Sequence, residues 1–83
     1  MNSGIIELDL HGMTKVQAKQ SIESQLKMAS KNVYRIRIVH GYHSGTEIKE
    51  IIKKSYGAGK HQNVFRLEFG LNPGETELVL REL

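Results

Sequence analysis

Hydrophobic and polar residues alternate in four short segments of the chain, with the period of two that is typical of strands with one buried face. The segments are residues 5–10, 33–40, 63–69 and 76–82. The apolar side chains that this alternation turns inward are Ile6, Leu8, Leu10, Ile36, Ile38, Phe65, Leu67, Phe69, Leu78 and Leu80. The opposite face of each segment is largely polar. The pattern therefore predicts four half-buried strands.

Two further segments have the spacing of amphipathic helices. Each begins with a capping box, Thr14 with Gln17 in the first and Ser44 with Glu47 in the second. The apolar stripes are Ala18, Ile22, Leu26 and Ala29 in the first helix, and Ile48, Ile51, Ile52 and Tyr56 in the second. The first helix is expected to end near residues 30–32.

The predicted order is strand, helix, strand, helix, strand, strand, which is an α/β chain and more closely an α+β two-layer sandwich. Because each strand has a polar face, both helices must cover the same face of one four-stranded mixed sheet. Right-handed crossovers make the first three strands parallel, and the closing turn at residues 71–75 makes the last strand antiparallel. The length of 83 residues predicts a single domain over residues 1–83.

Composition and charge narrow the class of protein. The chain has no cysteine, which excludes disulfides and thiolate metal sites and fits a reducing compartment. The N-terminus has no signal-peptide pattern, and no apolar run approaches the ~20 residues of a membrane helix, so we expect a soluble cytoplasmic protein without membrane contact. The net charge of +3 permits nucleic-acid binding without requiring it.

Two His-Gly pairs end the first two predicted strands, His11-Gly12 and His40-Gly41. Carboxyl ends of parallel strands lie at one edge of a sheet, so the two imidazoles are expected to converge there if the strands are neighbours. Asp9 shares the uncovered face with His11. Each pair precedes a helix N-terminus, where free N–H groups and a positive partial charge suit a phosphate. The alternative is that both histidines are structural residues of ordinary turns.

Further residues near the His-Gly pairs could bind the same anion. They are Gly12, Gly41, Ser44, Gly45 and Thr46 in the turns, and Arg35, Arg37, Lys49 and Arg66 as nearby positive charges. Two alternatives stay open. The arginines could only pair with carboxylates across the sheet, which would contribute little energy. The side chains of Asp9, His11, His40 and His43 could instead converge on a divalent metal, although they show no tight metal-binding spacing, and no other cofactor is indicated.

Three motifs resemble the Smr (small MutS-related) domain, in its short stand-alone form. They are LDLHG at 8–12, HG-x-x-x-G at 40–45 and G-E-T-x-L-V-L at 74–80, and the resemblance covers residues 5–82. It implies a βαβαββ sandwich similar to the C-terminal domain of bacterial translation initiation factor three, with the last strand between strands 2 and 3. It also implies nucleic-acid binding and, for several members, endonuclease activity on DNA or RNA.

The resemblance assigns roles residue by residue. Asp9 and His11 match the aspartate and histidine of the family's first motif, and His40 and Gly41 match the second. The remaining matches are Gly45 in the second loop, and Gly74 and Thr76 near the end of the chain. One position departs from the pattern, because His43 stands where the family commonly has a glycine that lets backbone approach a phosphate. Tyr42 replaces a small basic residue and could instead stack on an exposed base.

Two functions follow from these residues. In the first, the protein is an endonuclease in which His11 or His40 is the general base, the other protonates the leaving oxygen, and Asp9 orients an imidazole. In the second, it is a non-catalytic module that binds structured RNA or a ribosome-associated site through its arginines and helix N-termini. The departure at His43 favours the second. A protein-interaction domain with no nucleic-acid role is a third alternative.

Overall fold

Six elements follow one another along the chain of this computed structural model, which describes residues 4–42, 45–70 and 72–82. They are β1 (Ile5–Asp9), α1 (Lys15–Met28), β2 (Arg35–Val39), α2 (Gly45–Tyr56), β3 (Arg66–Glu68) and β4 (Glu75–Val79). The order βαβαββ confirms the predicted fold. The strands are shorter than the alternating segments, because pairing ends before the alternation does.

The four strands form one mixed sheet in the order β1-β2-β4-β3. β1 pairs with β2 in parallel, and β4 pairs in antiparallel orientation with both β2 and β3. The first three strands therefore run in one direction and the last strand runs against them, as predicted. The position of β4 between β2 and β3 confirms the arrangement that the family resemblance implied.

The core lies between one face of the sheet and the two helices. It contains Leu10, Ile36, Ile38 and Leu78 from the sheet side, Ala18, Ile22 and Leu26 from α1, and Ile48, Ile52 and Tyr56 from α2. Both predicted helical stripes thus face the same side of the sheet, although Ala29 and Ile51 are only partly buried. Nowhere in the described part of the chain is there a helix long and apolar enough to cross a bilayer.

A polar contact links the two helices at the edge of this core. The hydroxyl of buried Tyr56 donates a hydrogen bond of 2.6 Å to Glu23 Oε2, and His61 Nε2 lies 3.5 Å from the other oxygen of the same carboxylate. Burial, together with the bond to Glu23, raises the pKa of the Tyr56 hydroxyl, which therefore stays protonated and acts as a donor. The contact with Glu23 holds His61 beside the two helices, away from the two His-Gly turns.

One part of the predicted core is wrong. Phe65 and Phe69 were expected to point inward, but they are 54% and 49% exposed, and Val64 is buried instead. Alternation does place Phe69 on the helix side, where Lys49 and Lys53 of α2 reach its ring. β3 is an edge strand, however, and the helices do not cover its ends.

The predicted capping box at the start of α1 is confirmed. Thr14 Oγ1 accepts a bond of 3.1 Å from the Gln17 N–H, and Gln17 Oε1 accepts one of 3.1 Å from the Thr14 N–H. The second predicted box requires Ser44, which lies outside the described residues.

Removing the Thr14 cap should destabilise the whole domain, because α1 is one of the two helices that cover the sheet. We expect Thr14→Ala to lower the free energy of unfolding by about 1 kcal/mol, measured by urea denaturation. Thr14→Ser keeps the hydroxyl acceptor and should retain most of the stability. Equal losses in the two variants would show that the methyl group, rather than the cap, stabilises this position.

Candidate functional site

One edge of the sheet, here called the rim, consists of residues 9–12, 40–42, 68–70 and 72–75. The carboxyl ends of β1, β2 and β3 and the amino end of β4 meet there. The Leu10 N–H donates to the Val39 carbonyl at 2.8 Å, so β1 and β2 stay paired up to the two His-Gly turns. Both turns therefore lie side by side on the rim, as predicted.

Asp9 and His11 form a closely bonded pair on the rim. His11 Nδ1 lies 2.6 Å from Asp9 Oδ1, and the same oxygen accepts the His11 backbone N–H at 3.2 Å. The His11 side chain is 70% exposed. An ionised carboxylate only accepts hydrogen bonds, so Nδ1 carries a proton and Nε2 is the nitrogen directed to an incoming ligand.

The bond also couples the protonation of the two groups. The hydrogen bond from the His11 ring lowers the pKa of Asp9, and the hydrogen bond to Asp9 raises the pKa of His11 above its ordinary value of 6.5. The pair therefore holds a carboxylate next to an imidazole that titrates above its usual range. Such a pair is suited to accept and return a proton at an exposed site.

His40 does not reach the surface of the rim. Its side chain is 1% exposed and lies on the same side of the sheet as Ile36 and Ile38. Its Nε2 lies 2.8 Å from Thr76 Oγ1 and its Nδ1 lies 3.1 Å from the Gly41 carbonyl, which can only accept. Both ring nitrogens are thereby used within the protein. The expected convergence of the His11 and His40 imidazoles is not observed, and among the residues that the structure describes the rim presents the His11 imidazole.

Two glycines permit the tight approach of the turns. Gly12 and Gly41 have φ values of 81° and 88°, a left-handed conformation that other residues rarely adopt. A Cβ atom built at Gly41 would lie 3.6 Å from His11 Cβ, so the second turn packs directly against the histidine of the first. The glycine of each pair is required by the backbone, and the second also supports the first histidine.

Tyr42 follows Gly41 and has an exposed ring beside the second His-Gly pair. The side chain is 63% exposed, and its hydroxyl donates a bond of 2.9 Å to Asn72 Oδ1. The Gly74 N–H donates to the same oxygen at 3.0 Å, and a Cβ at Gly74 would lie 3.4 Å from the Tyr42 ring. The ring is therefore held in place over the start of β4. This supports the expectation that Tyr42 can stack on a base.

The three arginines predicted to bind nucleic acid are paired with carboxylates on the uncovered face of the sheet. Arg35 contacts Glu68 at 2.5 Å and also Glu77, and Arg37 Nε lies 2.8 Å from Glu77. The remaining ion pairs of this network join Arg66 to Glu68 at 2.5 Å and to Glu82 at 2.8 Å. Hydrogen bonds from Arg35 lower the pKa of Glu68, so the carboxylate stays ionised. Three guanidinium groups thus face three carboxylates, and the network carries no net charge.

The other predicted site residues fall into two groups. Gly45 is the first residue of α2, Thr46 is exposed in its first turn, and Lys49 lies one turn further on. His43 and Ser44 lie outside the described residues. Within residues 4–42, 45–70 and 72–82, no group of three or more His, Asp or Glu side chains is arranged to hold a metal ion.

Two residues hold side chains of the rim in place, and the sequence did not predict this role for either of them. Thr76 was matched only by resemblance, yet it holds the buried His40 ring, and Asn72 fixes Tyr42. Their partners are more than 25 residues away in the chain, so only the position of β4 beside β2 brings them together. The burial of His40 could have been predicted, because in the alternating segment it falls on the same face as Ile36 and Ile38.

The surface around Asp9 and His11 is open. Their side chains are 57% and 70% exposed. Small-molecule sites are usually concave and enclose most of the ligand. An exposed pair on an open rim is better suited to a polymer that lies across the surface.

Replacing Asp9 should change the titration of His11. We expect Asp9→Asn to lower the His11 pKa toward 6.5, because the neutral amide no longer favours the imidazolium. In the wild type, protonated His11 stabilises the fold fully below pH 6.5, and this contribution is lost as the pH rises through the raised pKa. In the variant that loss should disappear. NMR titration of the imidazole signals measures the shift.

Glu7→Gln is the matched control for this titration, because Glu7 lies on the same face of β1 and makes no bond to His11. It should leave the His11 midpoint in place. A midpoint that is the same in wild type and in Asp9→Asn would show that the bond does not form in solution.

Comparisons with known proteins agree with the fold. A family model described as the Smr domain matches residues 8–68. Among solved structures, the chain is similar to the crystal structure of the Smr domain of Thermus thermophilus MutS2, with a TM-score of 0.71 and 22% sequence identity. That match covers 93% of this chain and 99% of the other. The comparison with curated protein sequences finds no match.

Proposed function

This chain belongs to the Smr domain family, a family of nucleic-acid-binding domains, and on that premise we propose that it is an endonuclease that cleaves phosphodiester bonds at the Asp9–His11 pair. The observation that supports this proposal is the 2.6 Å bond between Asp9 and His11 Nδ1, which leaves Nε2 directed to solvent on an open rim. The proposed substrate is a nucleic-acid strand, either RNA or DNA, lying across the rim.

In the proposed reaction, His11 Nε2 takes the proton of the attacking oxygen. That oxygen is the 2′-hydroxyl next to the scissile phosphate in RNA, or a water molecule in DNA. The phosphorus–oxygen bond to the leaving strand breaks, and the imidazolium or solvent returns a proton to the leaving oxygen. Asp9 keeps the ring in the productive tautomer and stabilises its charge. No step requires a bound metal.

His40 has a different proposed role from the one the sequence suggested. Its side chain is buried and bonded to Thr76 and Gly41, so it is not exposed to a strand lying across the rim. We assign it as a positioning residue, which holds the Gly41 turn against His11. The nucleic-acid contacts in this proposal come from Gly12, Gly41 and Tyr42 on the rim and from Thr46 and Lys49 in the first turns of α2. The paired Arg35, Arg37 and Arg66 are expected to contribute less.

The alternative function is binding without cleavage, for example to structured RNA on or near the ribosome. It is favoured by the burial of His40, because general acid–base cleavage commonly uses two groups and, of the pair His11 and His40, only His11 is exposed. Under this alternative the Asp9–His11 pair would contact the sugar–phosphate chain only.

The deciding experiment combines cleavage and binding on the same substrates. Circular single-stranded RNA and DNA, which lack ends, are incubated with the protein between pH 5 and pH 9, with chelator or with magnesium or manganese. Linear products formed in the presence of chelator would support a metal-independent endonuclease. Salt-dependent binding with intact circles under all conditions would support the alternative. Absence of binding to every substrate would overturn both.

A further inference from the structure

We propose that Phe69, Lys49 and Lys53 form a second nucleotide-binding subsite, specific for a single-stranded segment of nucleic acid. A base would stack on the Phe69 ring and the two ammonium groups would contact the adjoining phosphates. This subsite rests on the proposed nucleic-acid function and adds to it the form of the ligand and the path it takes across the protein.

Phe69 is an exposed aromatic ring at the carboxyl end of an edge strand. About half of its surface, 49%, is accessible although its segment alternates as if it were buried. The ring contacts the lysines of α2 but does not belong to the hydrophobic core. An exposed ring that the core does not need is a suitable platform for stacking, because every base has a face that can lie on it.

The two lysines supply positive charge at the same ring. Lys49 Nζ lies 5.4 Å and Lys53 Nζ 5.5 Å from the ring centroid, within the range of a cation–π contact. The two residues are four apart in α2, so they lie on one ridge of the helix. A phosphate next to a base stacked on Phe69 would thus meet two ammonium groups.

These lysines differ from the arginines of the sheet in having no carboxylate partner. No ion pair joins Lys49 or Lys53 to an acidic side chain of the described residues, whereas each of Arg35, Arg37 and Arg66 has at least one. Positive charge that is already neutralised within the protein gains little from a phosphate. Lys49 and Lys53 therefore offer a polyanion positive charge that no carboxylate of the described residues neutralises, next to the Phe69 ring.

The subsite and the Asp9–His11 pair lie on the same rim. β1 and β3 are separated by β2 and β4, which corresponds to about 14 Å for three strand spacings. The exposed Tyr42 ring lies between them, beside β2 and β4. One strand could therefore contact both rings and the proposed catalytic pair.

The ligand should be single-stranded because both rings require unstacked bases. In a duplex each base face is covered by its neighbours, and only the backbone and groove edges can be reached. RNA and DNA both offer the base and phosphate that this subsite would bind. The two are distinguished by the test, which uses oligonucleotides of both kinds.

The test compares the two phenylalanines that flank β3. Phe69→Leu keeps an apolar side chain but removes the aromatic face, and we expect affinity for single-stranded oligonucleotides of about 8 nucleotides to fall roughly 5- to 150-fold. Phe65→Leu is the matched control, because Phe65 is similarly exposed and also has a cation, Arg66, near its ring at 5.9 Å, but lies at the opposite end of β3. It should bind as the wild type does.

A second pair of variants reports the position of the bound base directly. The chain contains no tryptophan, so Phe69→Trp and Phe65→Trp each introduce a single tryptophan, whose emission can be excited separately from that of the three tyrosines. Saturation with an oligonucleotide should quench the F69W variant and leave the F65W variant unchanged. Replacing both lysines with glutamine should reduce the salt dependence of binding by about one to two phosphate contacts.

The outcomes separate this subsite from the proposed function. Equal binding by wild type, F69L and F65L, with no quenching in F69W, would overturn the subsite and leave the nucleic-acid function in place. Equal loss in F69L for duplex and single strand, or equal competition by polyglutamate, would show a general anion-binding surface and would also overturn it. Absence of binding by the wild type would overturn both.

Discussion

A His11→Ala variant is expected to lose strand cleavage by about 10²- to 10⁴-fold, the usual contribution of a general acid–base group. The reason is geometric. His11 carries the exposed imidazole of the rim, and the His40 ring, which could otherwise replace it, is buried and bonded on both nitrogens. Binding should remain, because the stacking rings and the lysines are unchanged.

The measurement is single-turnover cleavage together with oligonucleotide affinity and the urea unfolding midpoint. The midpoint should match the wild type at a pH above the raised His11 pKa, where the imidazole is neutral and no longer contributes to stability. His61→Ala is a useful comparison, since this histidine contacts Glu23 away from the rim and should leave cleavage intact. Cleavage by H11A at the wild-type rate would remove Asp9 and His11 from the proposed mechanism.

The second large effect concerns stability. His40→Leu is expected to lower the free energy of unfolding by about 2–3 kcal/mol, because it leaves the Thr76 hydroxyl and the Gly41 carbonyl without their bonds in a buried place. Chemical denaturation measures the loss. If His40→Leu also reduces cleavage, we expect the reduction to come from the smaller folded fraction or from a displaced Gly41 turn.

A double variant separates the hydrogen bonds from the packing. Thr76→Val removes the hydroxyl with little change in shape, so H40L/T76V should recover part of the stability that H40L loses. No recovery would indicate that the shape of the imidazole, and not its bond to Thr76, is what β4 requires. Replacement of His11 is thus expected to affect mainly activity, and replacement of His40 is expected to affect mainly stability.

Most of the fold follows from periodicity. The alternation at Ile36 and Ile38, the four-residue spacing of Ile22 and Leu26, and the capping box at Thr14 are local signals, and each is confirmed. The failure at Phe69 shows the limit of this reasoning. Alternation indicates the side of the sheet that a residue faces, but it does not indicate how far a helix extends over an edge strand.

Less of the candidate site than of the fold could be predicted from the sequence. Asp9 and His11 are two residues apart, so their pairing is a local event, and the rim position follows from the strand order. The state of the arginines depends on Glu68, Glu77 and Glu82, which lie on β3, on β4 and beyond it. Which of several carboxylates pairs with an arginine is decided by sheet register. The sequence alone was compatible both with arginines that pair with carboxylates and with arginines that are available to nucleic acid.

The insertion of β4 into the middle of the sheet has a consequence for how the protein is made. During synthesis β4 emerges after the other three strands, yet it must enter between two of them. Until then β2 has a free edge, the His40 ring lacks Thr76, and Arg37 lacks Glu77. We therefore expect the first 70 residues to remain an incomplete, association-prone intermediate on the ribosome, with the rim assembled only in the last step of folding.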